Sequence, residues 1–504
     1  YQNNTLGISC LSSIHGIFSL TRQLSNYINM IKWPYLPQDS GLEIVKSEGA
    51  YLYNKDGFKI LDAAGGAIVN NIGYGREEVA EIIKASAMSN TYVLPPFLTP
   101  EREQLVDELR QHWLPSHLTR IHLSSGGSEA NESAIKLAIQ YQASRNKPEK
   151  KIILTRSLSY HGTTLNMSGI SGHAARKRGM ESYLPTANTI ETPYPLRCPL
   201  GKYHPDAKDY YLNNLKKVIN NHGAENIAAL LMEPVNGSSG GAIYPPDGYW
   251  IEAQKILKDN DILLIADEVM TGFGRTGFKF SCEDYGLEPD IMIAGKGMGS
   301  GYASISGTYS TEAIAESIMN AGYLVMFHTF AALPMSCAAS SAVLKILRRE
   351  RLCEKVTPLG EKLKERLTSR LGQHPLVAEI RGKGLLVGIE IVKDKEKLTS
   401  FDISNDVLNH RFVKEIREDL ASRNSEDKLL DPVFGTSNVK KPELYGWSGS
   451  VTPHIDNKGY CYILILELDG KSILSADYSD NIELAKGDVI CLYDYTHHSI
   501  DQTG

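Results

Sequence analysis

Ile262-Leu-Leu-Ile-Ala-Asp-Glu-Val-Met-Thr-Gly-Phe-Gly-Arg-Thr-Gly277 opens as an unbroken apolar run and closes in acids, glycines and an arginine. Residues 262–266 carry no polar side chain, the pattern of a strand buried on both faces of a parallel sheet. The run ends in Asp267 and Glu268. Further on comes Asp290-Ile-Met-Ile-Ala-Gly-Lys-Gly-Met-Gly-Ser-Gly301, a shorter apolar run that ends on Lys296. Strand ends in α/β sheets point into the ligand crevice. The glycines at 297, 299 and 301 let backbone approach a bound group closely. A lone lysine at a strand–loop junction is ordinarily a solvated one. An acid and a lysine that close two buried strands can instead face one crevice. A lysine withdrawn from water there has a lowered pKa and becomes a usable amine nucleophile.

Working outward, strands and helices alternate from 100 to 305. Candidate strands lie at 121–123, 151–154, 228–232, 262–266 and 291–294, and candidate helices at 129–144 and 250–259. Such alternation predicts a parallel sheet covered on both faces. Before it, residues 49–62 read as a hairpin turning at Asp56-Gly57, followed by the Gly-rich Asp62-Ala-Ala-Gly-Gly66. After it, helices are expected at 337–350 and 359–371, and a strand pair at 377–390. Around 424–441 the sequence becomes polar and Pro-containing, which marks a boundary.

The 504 residues predict roughly two to four domains. Hydrophobic and charged fractions of 42% and 22% are those of a water-soluble globular chain. A net charge of -6 gives no reason to expect nucleic acid or an anionic membrane surface as partner. No apolar run approaches the roughly 18–20 residues of a membrane span. The seven cysteines (10, 198, 282, 337, 353, 461, 491) are odd in number and contain no Cys-x-x-Cys. That fits a reducing, cytoplasmic setting without structural zinc. Tyr1-Gln-Asn-Asn opens without Met and without a leader pattern, as expected of a fragment, a processed form or part of a larger product.

The series Asp267-Glu-Val269, Gly274-Arg-Thr-Gly277 and Lys296-Gly297, in this order and spacing, resembles the class III aminotransferases, pyridoxal-phosphate (PLP) enzymes of fold type I. The resemblance runs from about Leu42 to about Asn424. It implies an α/β fold with an N-terminal arm (1–45) and a large PLP domain (46–308) built on a mixed, mostly parallel sheet. The N-terminal hairpin contributes to the small domain. That smaller α+β domain (309–424) is cut short, and a β-rich segment (425–504) succeeds it.

PLP has a dianionic phosphate, a basic ring nitrogen, a flat ring and an aldehyde, and each needs its own partner. Ser124-Ser-Gly-Gly-Ser-Glu-Ala-Asn131 puts glycines before a helix, and helix starts bind phosphate. Ser128 is the expected N-cap. The resemblance gives the phosphate to Gly127 and Ser128 and the ring nitrogen to Asp267, whose charge keeps it protonated. It gives the ring face to Tyr160 with His161 beside it, the opposite face to Val269, and a pocket wall to Glu233. Thr329 would reach the phosphate across a homodimer interface, so that each site is completed by the neighbouring chain. Lys296 would hold PLP as a Schiff base and then carry the proton, and Asp267 is its catalytic partner. The implied reaction is ping-pong transamination between an amino acid or amine and a 2-oxo acid. Relatives acting on ornithine, acetylornithine or GABA have a second Glu where this chain has Ser238, so the pocket loop resembles instead a group acting on ω-amino or other small amino acids.

The family's closing strand pair and helix, where many members keep a carboxylate-binding Arg, have no counterpart after Asn424. Arg381 matches an Arg of mainly structural character. The segment beyond Asn424 contains Thr452-Pro-His-Ile-Asp456 and, later, His497-His498. His454, Asp456 and His498 form the two-His-one-carboxylate pattern of non-haem Fe(II) sites. With the β-rich runs between them they resemble part of a 2-oxoglutarate/Fe(II) oxygenase jelly roll. This segment opens two other readings: a bifunctional or fused enzyme, and a catalytically impaired PLP-binding protein.

Overall fold

The computed structural model describes residues 43–400 and two strands, Tyr460–Leu464 and Val489–Asp494. The chain enters as β1 (Ile44–Glu48), β2 (Tyr51–Asn54) and β3 (Lys59–Leu61), each antiparallel to the last. The expected turn joins β2 to β3. Asn54 Oδ1 accepts from the backbone N–H groups of Asp56 (3.0 Å) and Phe58 (2.7 Å), and Gly57 takes the φ of 82° that the bend requires.

A seven-stranded sheet comes next, from β4 (Leu118–Ser124), β5 (Ile152–Arg156), β6 (Asn188–Ile190), β7 (Ile227–Met232), β8 (Leu263–Asp267), β9 (Ile291–Ala294) and β10 (Ser306–Thr311). Its spatial order is β4-β10-β9-β8-β7-β5-β6. All neighbours from β9 to β6 are parallel. β10 runs antiparallel between β4 and β9, so the sheet is mixed and β4 still points with the others.

Alternate residues of the central strands feed two cores. Leu264, Ala266, Met292 and Ala294 face one, and Leu263, Ile265, Ile291 and Ile293 the other. This is why those strands read as continuous apolar runs. The first core is closed by α1 (Glu77–Ser89), α2 (Pro100–Glu108), α4 (Ala207–His222), α5 (Tyr249–Asp259) and α7 (Pro334–Arg349), through Val79, Leu105, Leu215, Trp250 and Leu344. The second is closed by α3 (Gly127–Ser144) and α6 (Glu312–Asn320), through Ala134, Leu137 and Ile318. Each fully buried aliphatic side chain contributes about 1.5–3 kcal/mol.

The last helix among the described residues, α8 (Leu352–Leu371), starts earlier than the sequence suggested and carries Pro358 inside it. Burial of Leu352 in the main core fixes the turns before the proline. β11 (Val377–Lys383) and β12 (Leu386–Ile391) form the expected pair. Val377 shares a small core with Leu367, Leu371, Tyr51 and Leu61, so the N-terminal hairpin packs on the strand pair and α8. The strands Tyr460–Leu464 (β13) and Val489–Asp494 (β14) are antiparallel, and β14 lies parallel beside β3. These two strands alone do not test the expected jelly roll, and His454, Asp456 and His498 lie outside the described residues.

Candidate active site

The carboxyl ends of β4, β5, β7, β8 and β9 open on one edge of the sheet, and each delivers one site segment. Asp267 closes β8 and is buried. Three donors converge on its carboxylate. Asn131 Nδ2 lies 3.0 Å and His161 Nδ1 2.8 Å from Oδ2, and Val269 N–H donates to Oδ1 at 3.0 Å. A carboxylate only accepts, so His161 presents its Nδ1 proton to Asp267. Its Nε2, and Asn131 Oδ1, are buried without a hydrogen-bond partner. His161, expected as a helper beside Tyr160, is held against Asp267.

Lys296 follows β9 at the start of a single 3-10 turn. Its φ of 39° is a conformation side-chain-bearing residues rarely adopt, which is the kind of strain functional positions retain. Burial pulls its ammonium down to about 8, Asp267 opposes that shift, and Arg176 and Arg275 add to it. A loop from the N-terminal hairpin packs against this turn. Asn71 N–H donates to Ser300 Oγ (2.8 Å), Asn71 Nδ2 to the Phe273 carbonyl (2.8 Å), and Arg275 Nη2 to the Asn70 carbonyl (3.0 Å). A Cβ on Gly297 would lie 2.3 Å from Asn71 Nδ2, so a larger residue there would push Asn71 out of this packing.

The expected phosphate segment begins α3 at Gly127, with Gly126 as its N-cap. Ser128 is therefore not the cap. It sits inside the first turn, and its Oγ accepts from Thr163 N–H at 3.0 Å. Glu129 reaches back to accept from the Ser125 N–H (2.9 Å) and so ties the entry to the helix that a capping serine would have held. The first-turn N–H groups of a helix have no partner within it and are a ready anion site. Two glycines keep this corner tight. A Cβ on Gly127 would come within 3.0 Å of Val269 Cγ1, and one on Gly162 within 2.4 Å of Ser128 Oγ.

Tyr160 is half-buried, and the Arg176 guanidinium lies over its ring at 4.5 Å from the centroid. Glu233, just past β7, is buried. It accepts from Arg156 Nη2 (2.9 Å) and from Gly237 N–H (3.0 Å), so it braces the pocket loop. Ser238 in that loop is buried, and its hydroxyl has no partner. Arg381 is spent on Glu379, Glu390 and the carbonyls of Gly240 and Gly241, in keeping with a structural role. Thr329 is exposed, away from the buried groups. His328 beside it lies 3.2 Å from Ser133 on α3. Asn131 and Arg176 were missed in the sequence. Asn131 had a signal, one helical turn after Gly127, whereas Arg176 lies in the short 3-10 turn Ala174–Lys177, which no periodicity announces.

Residues 36–419 match the family model "Aminotransferase class-III". The uncharacterised aminotransferase YodT of Bacillus subtilis is 34% identical over 79% of this chain and 92% of its own. The putrescine–pyruvate aminotransferase of Pseudomonas aeruginosa is 34% identical over 71% of this chain and 78% of its own. An amine transaminase from an uncultivated Pseudomonas species, solved with PLP bound, superposes with a TM-score of 0.70 at 31% identity, over 74% of this chain and 87% of that one. A withdrawn lysine, a buried carboxylate on the neighbouring strand and a helix start on the same sheet edge are what such a match requires, and the chain belongs to the class III aminotransferase family as a PLP-dependent transaminase, an enzyme that moves an amino group from an amine or amino acid to a 2-oxo acid.

Proposed function

We propose that PLP lies between Asp267 and the start of α3, with Lys296 as its covalent anchor. The residues fit the group. The helix start and its glycine-tight corner suit a phosphate, and the Asp267 carboxylate, held by Asn131, His161 and Val269, suits a protonated ring nitrogen. The half-buried ring of Tyr160 suits a flat partner, and Val269 closes the other side. When bound, PLP supplies an electron sink and a carrier for the amino group. The protein supplies the rest. Lys296, as a neutral amine, is the nucleophile toward the cofactor carbonyl. Once displaced by a donor amine it carries a proton to and from the substrate carbon. Asp267 keeps positive charge on the ring nitrogen. Glu233 offsets Arg156 and fixes the pocket wall. The observation that carries this reading is the lowered amine of Lys296 at the end of β9, next to the strand that ends in Asp267. Lys296→Ala is expected to lose both the visible band of lysine-bound PLP and all turnover. A variant that keeps turnover contradicts the assignment.

We infer a small ω-amine or amino acid as donor and a 2-oxo acid such as pyruvate as acceptor. The putrescine–pyruvate relative and the small, buried Ser238 in place of a second acid support this. A homodimer is supported by two exposed apolar runs. Phe97 and Leu98 lie on one, and Leu324, Met326 and Phe330 flank Thr329 on the other. Arg102 stitches the runs together, donating to the carbonyls of Leu94 (3.0 Å) and Ala332 (2.8 Å). Among the described residues no helix is long and apolar enough to cross a membrane. Four free cysteines (198, 282, 337 and 353) support a reducing, cytoplasmic setting.

The family match stops at 419 while the sequence runs on to 504, which favours a separate origin for the last segment. We infer that His454, Asp456 and His498 descend from an oxygenase iron site. Succinate released from 2-oxoglutarate in an Fe(II)-dependent manner supports a working site, and its absence at saturating iron rules one out.

A further inference from the structure

The loop 233–241 touches the cofactor groups at one end and the strand pair β11–β12 at the other. Toward the site, a Cβ on Gly237 would come within 2.3 Å of Met270 Sδ, one residue past Val269. Asn236 Nδ2 donates to the Leu158 carbonyl at 3.0 Å, two residues before Tyr160. Ser238 lies between these ties and the far end, buried, with its hydroxyl unpartnered. The far end is gripped from the strand pair. Arg381 on β11 donates through Nη2 to the Gly240 carbonyl (2.6 Å) and through Nε to the Gly241 carbonyl (2.7 Å). On β12, a Cβ at Gly388 would fall 2.2 Å from the Gly241 carbonyl oxygen, so the two backbones meet there. Arg381 is itself fixed, by Glu379 and Glu390 at 2.9 Å each. Glu390 also accepts from the Tyr194 hydroxyl (2.7 Å) and from Arg197 Nη2 (2.8 Å). Two guanidiniums and two carboxylates therefore balance in one buried group. Charge-assisted bonds are stronger than neutral ones, and the planar fork of arginine sets direction as well as distance.

We propose that Arg381 is a positioning residue for the amine donor: from β11 it holds the 236–241 stretch, with Ser238, at a fixed distance from the cofactor groups. The proposal rests on the transaminase reading and on this loop being a wall of the substrate pocket. A loop released from Arg381 changes the space beside Ser238 and loosens the donor. The groups assigned to PLP itself, Asp267 and the start of α3, have their own hydrogen bonds and stay in place. The strand pair thus contributes to donor selection without any of its side chains touching the donor.

The test uses the full chain as holoenzyme, wild type, Arg381→Lys and Gly388→Ala. Arg381→Lys keeps the charge but cannot reproduce the fork on the two carbonyls. Gly388→Ala leaves every charge in place and pushes the Gly241 carbonyl instead, so it decides the matter if Arg381→Lys does not fold. The donor half-reaction is followed by the visible band over a series of putrescine concentrations, with PLP affinity from fluorescence titration and Tm measured alongside. In both variants the apparent donor dissociation constant is expected to rise about 5- to 50-fold, the usual size of one or two lost charge-assisted hydrogen bonds. PLP affinity should change less than about threefold, and the position of the band should not move. Variants that lose only Tm or the yield of holoenzyme, while the remaining holoenzyme keeps the wild-type donor constant, would overturn the proposal and leave Arg381 purely structural. PLP affinity falling in step with donor affinity would overturn it as well. A wild-type band that putrescine and other small amines do not bleach would contradict the transaminase reading and the proposal together, whereas wild-type bleaching with an unshifted donor constant in the variants contradicts the proposal alone.

Discussion

At the scale of single residues the site is a set of charges drawn out of water and answered locally. Lys296 is the least comfortable of them. Its value of about 8 lies below the ordinary 10.5 because burial disfavours the ammonium. The sign of that shift has two consequences. Attachment of PLP to the cofactor-free protein needs the neutral amine, so its rate should climb about tenfold per pH unit below 8 and level off above it. Between 8 and 10.5 the folded state binds fewer protons than the unfolded state, so stability contributed by this group rises with pH across that window. Lys296→Met removes the cost and should stabilise the cofactor-free protein at pH 7 by about 1–3 kcal/mol, read as a higher Tm, while abolishing covalent PLP. Asp267 carries the opposite duty. In the proposed site, Asp267→Asn keeps the shape but removes the charge offered to the ring nitrogen, whose pKa should then fall by about 1–3 units. The amine half-reaction, measured by single-turnover absorbance, is expected to slow by about 10- to 1000-fold.

At the scale of elements, the strand ends were the most legible part of the sequence. β7, β8 and β9 are buried on both sides, so they had to be apolar throughout, and their polar end residues stood out. β10 was not legible for the converse reason. It reads Ser-Gly-Thr-Tyr-Ser-Thr, yet it is buried between β4 and β9, with Thr308 Oγ1 donating to the Ala130 carbonyl at 2.8 Å. Polar side chains satisfied by helix backbone erase the apolar signal on which a strand assignment depends. Ser128 shows the same limit at a helix start. Its residue type favours a cap, but Glu129 and Ser125 already tie the entry, and the serine is used to hold the 162–163 turn instead. That turn makes a direct test. Gly162→Ala would force a Cβ at a φ of 142° to within 2.4 Å of Ser128 Oγ. The expected cost is about 1–3 kcal/mol of stability. A weaker affinity for PLP, measured by fluorescence titration, should accompany it, because the first turn of α3 must shift.

At the scale of the whole molecule, the sheet edge gathers five segments from distant parts of the chain, while the proposed dimer leaves one wall to the partner subunit. The runs around Phe97 and Leu324 expose several large apolar side chains, and grouped apolar surface of this kind is what an interaction face presents. If the proposed dimer forms through this face, Leu324→Lys is expected to yield monomers in sedimentation velocity and to lose turnover, since the proposed role of Thr329 in the neighbouring site would be lost with it. The most direct test of the central claim is a two-step absorbance experiment on the wild-type holoenzyme with Lys296→Ala beside it. Addition of a small amine donor alone should bleach the visible band of lysine-bound PLP, and pyruvate added afterwards should restore it with release of alanine, while Lys296→Ala shows neither change. A wild-type band that persists through saturating donor, or a Lys296→Ala protein that completes the cycle, would contradict the account.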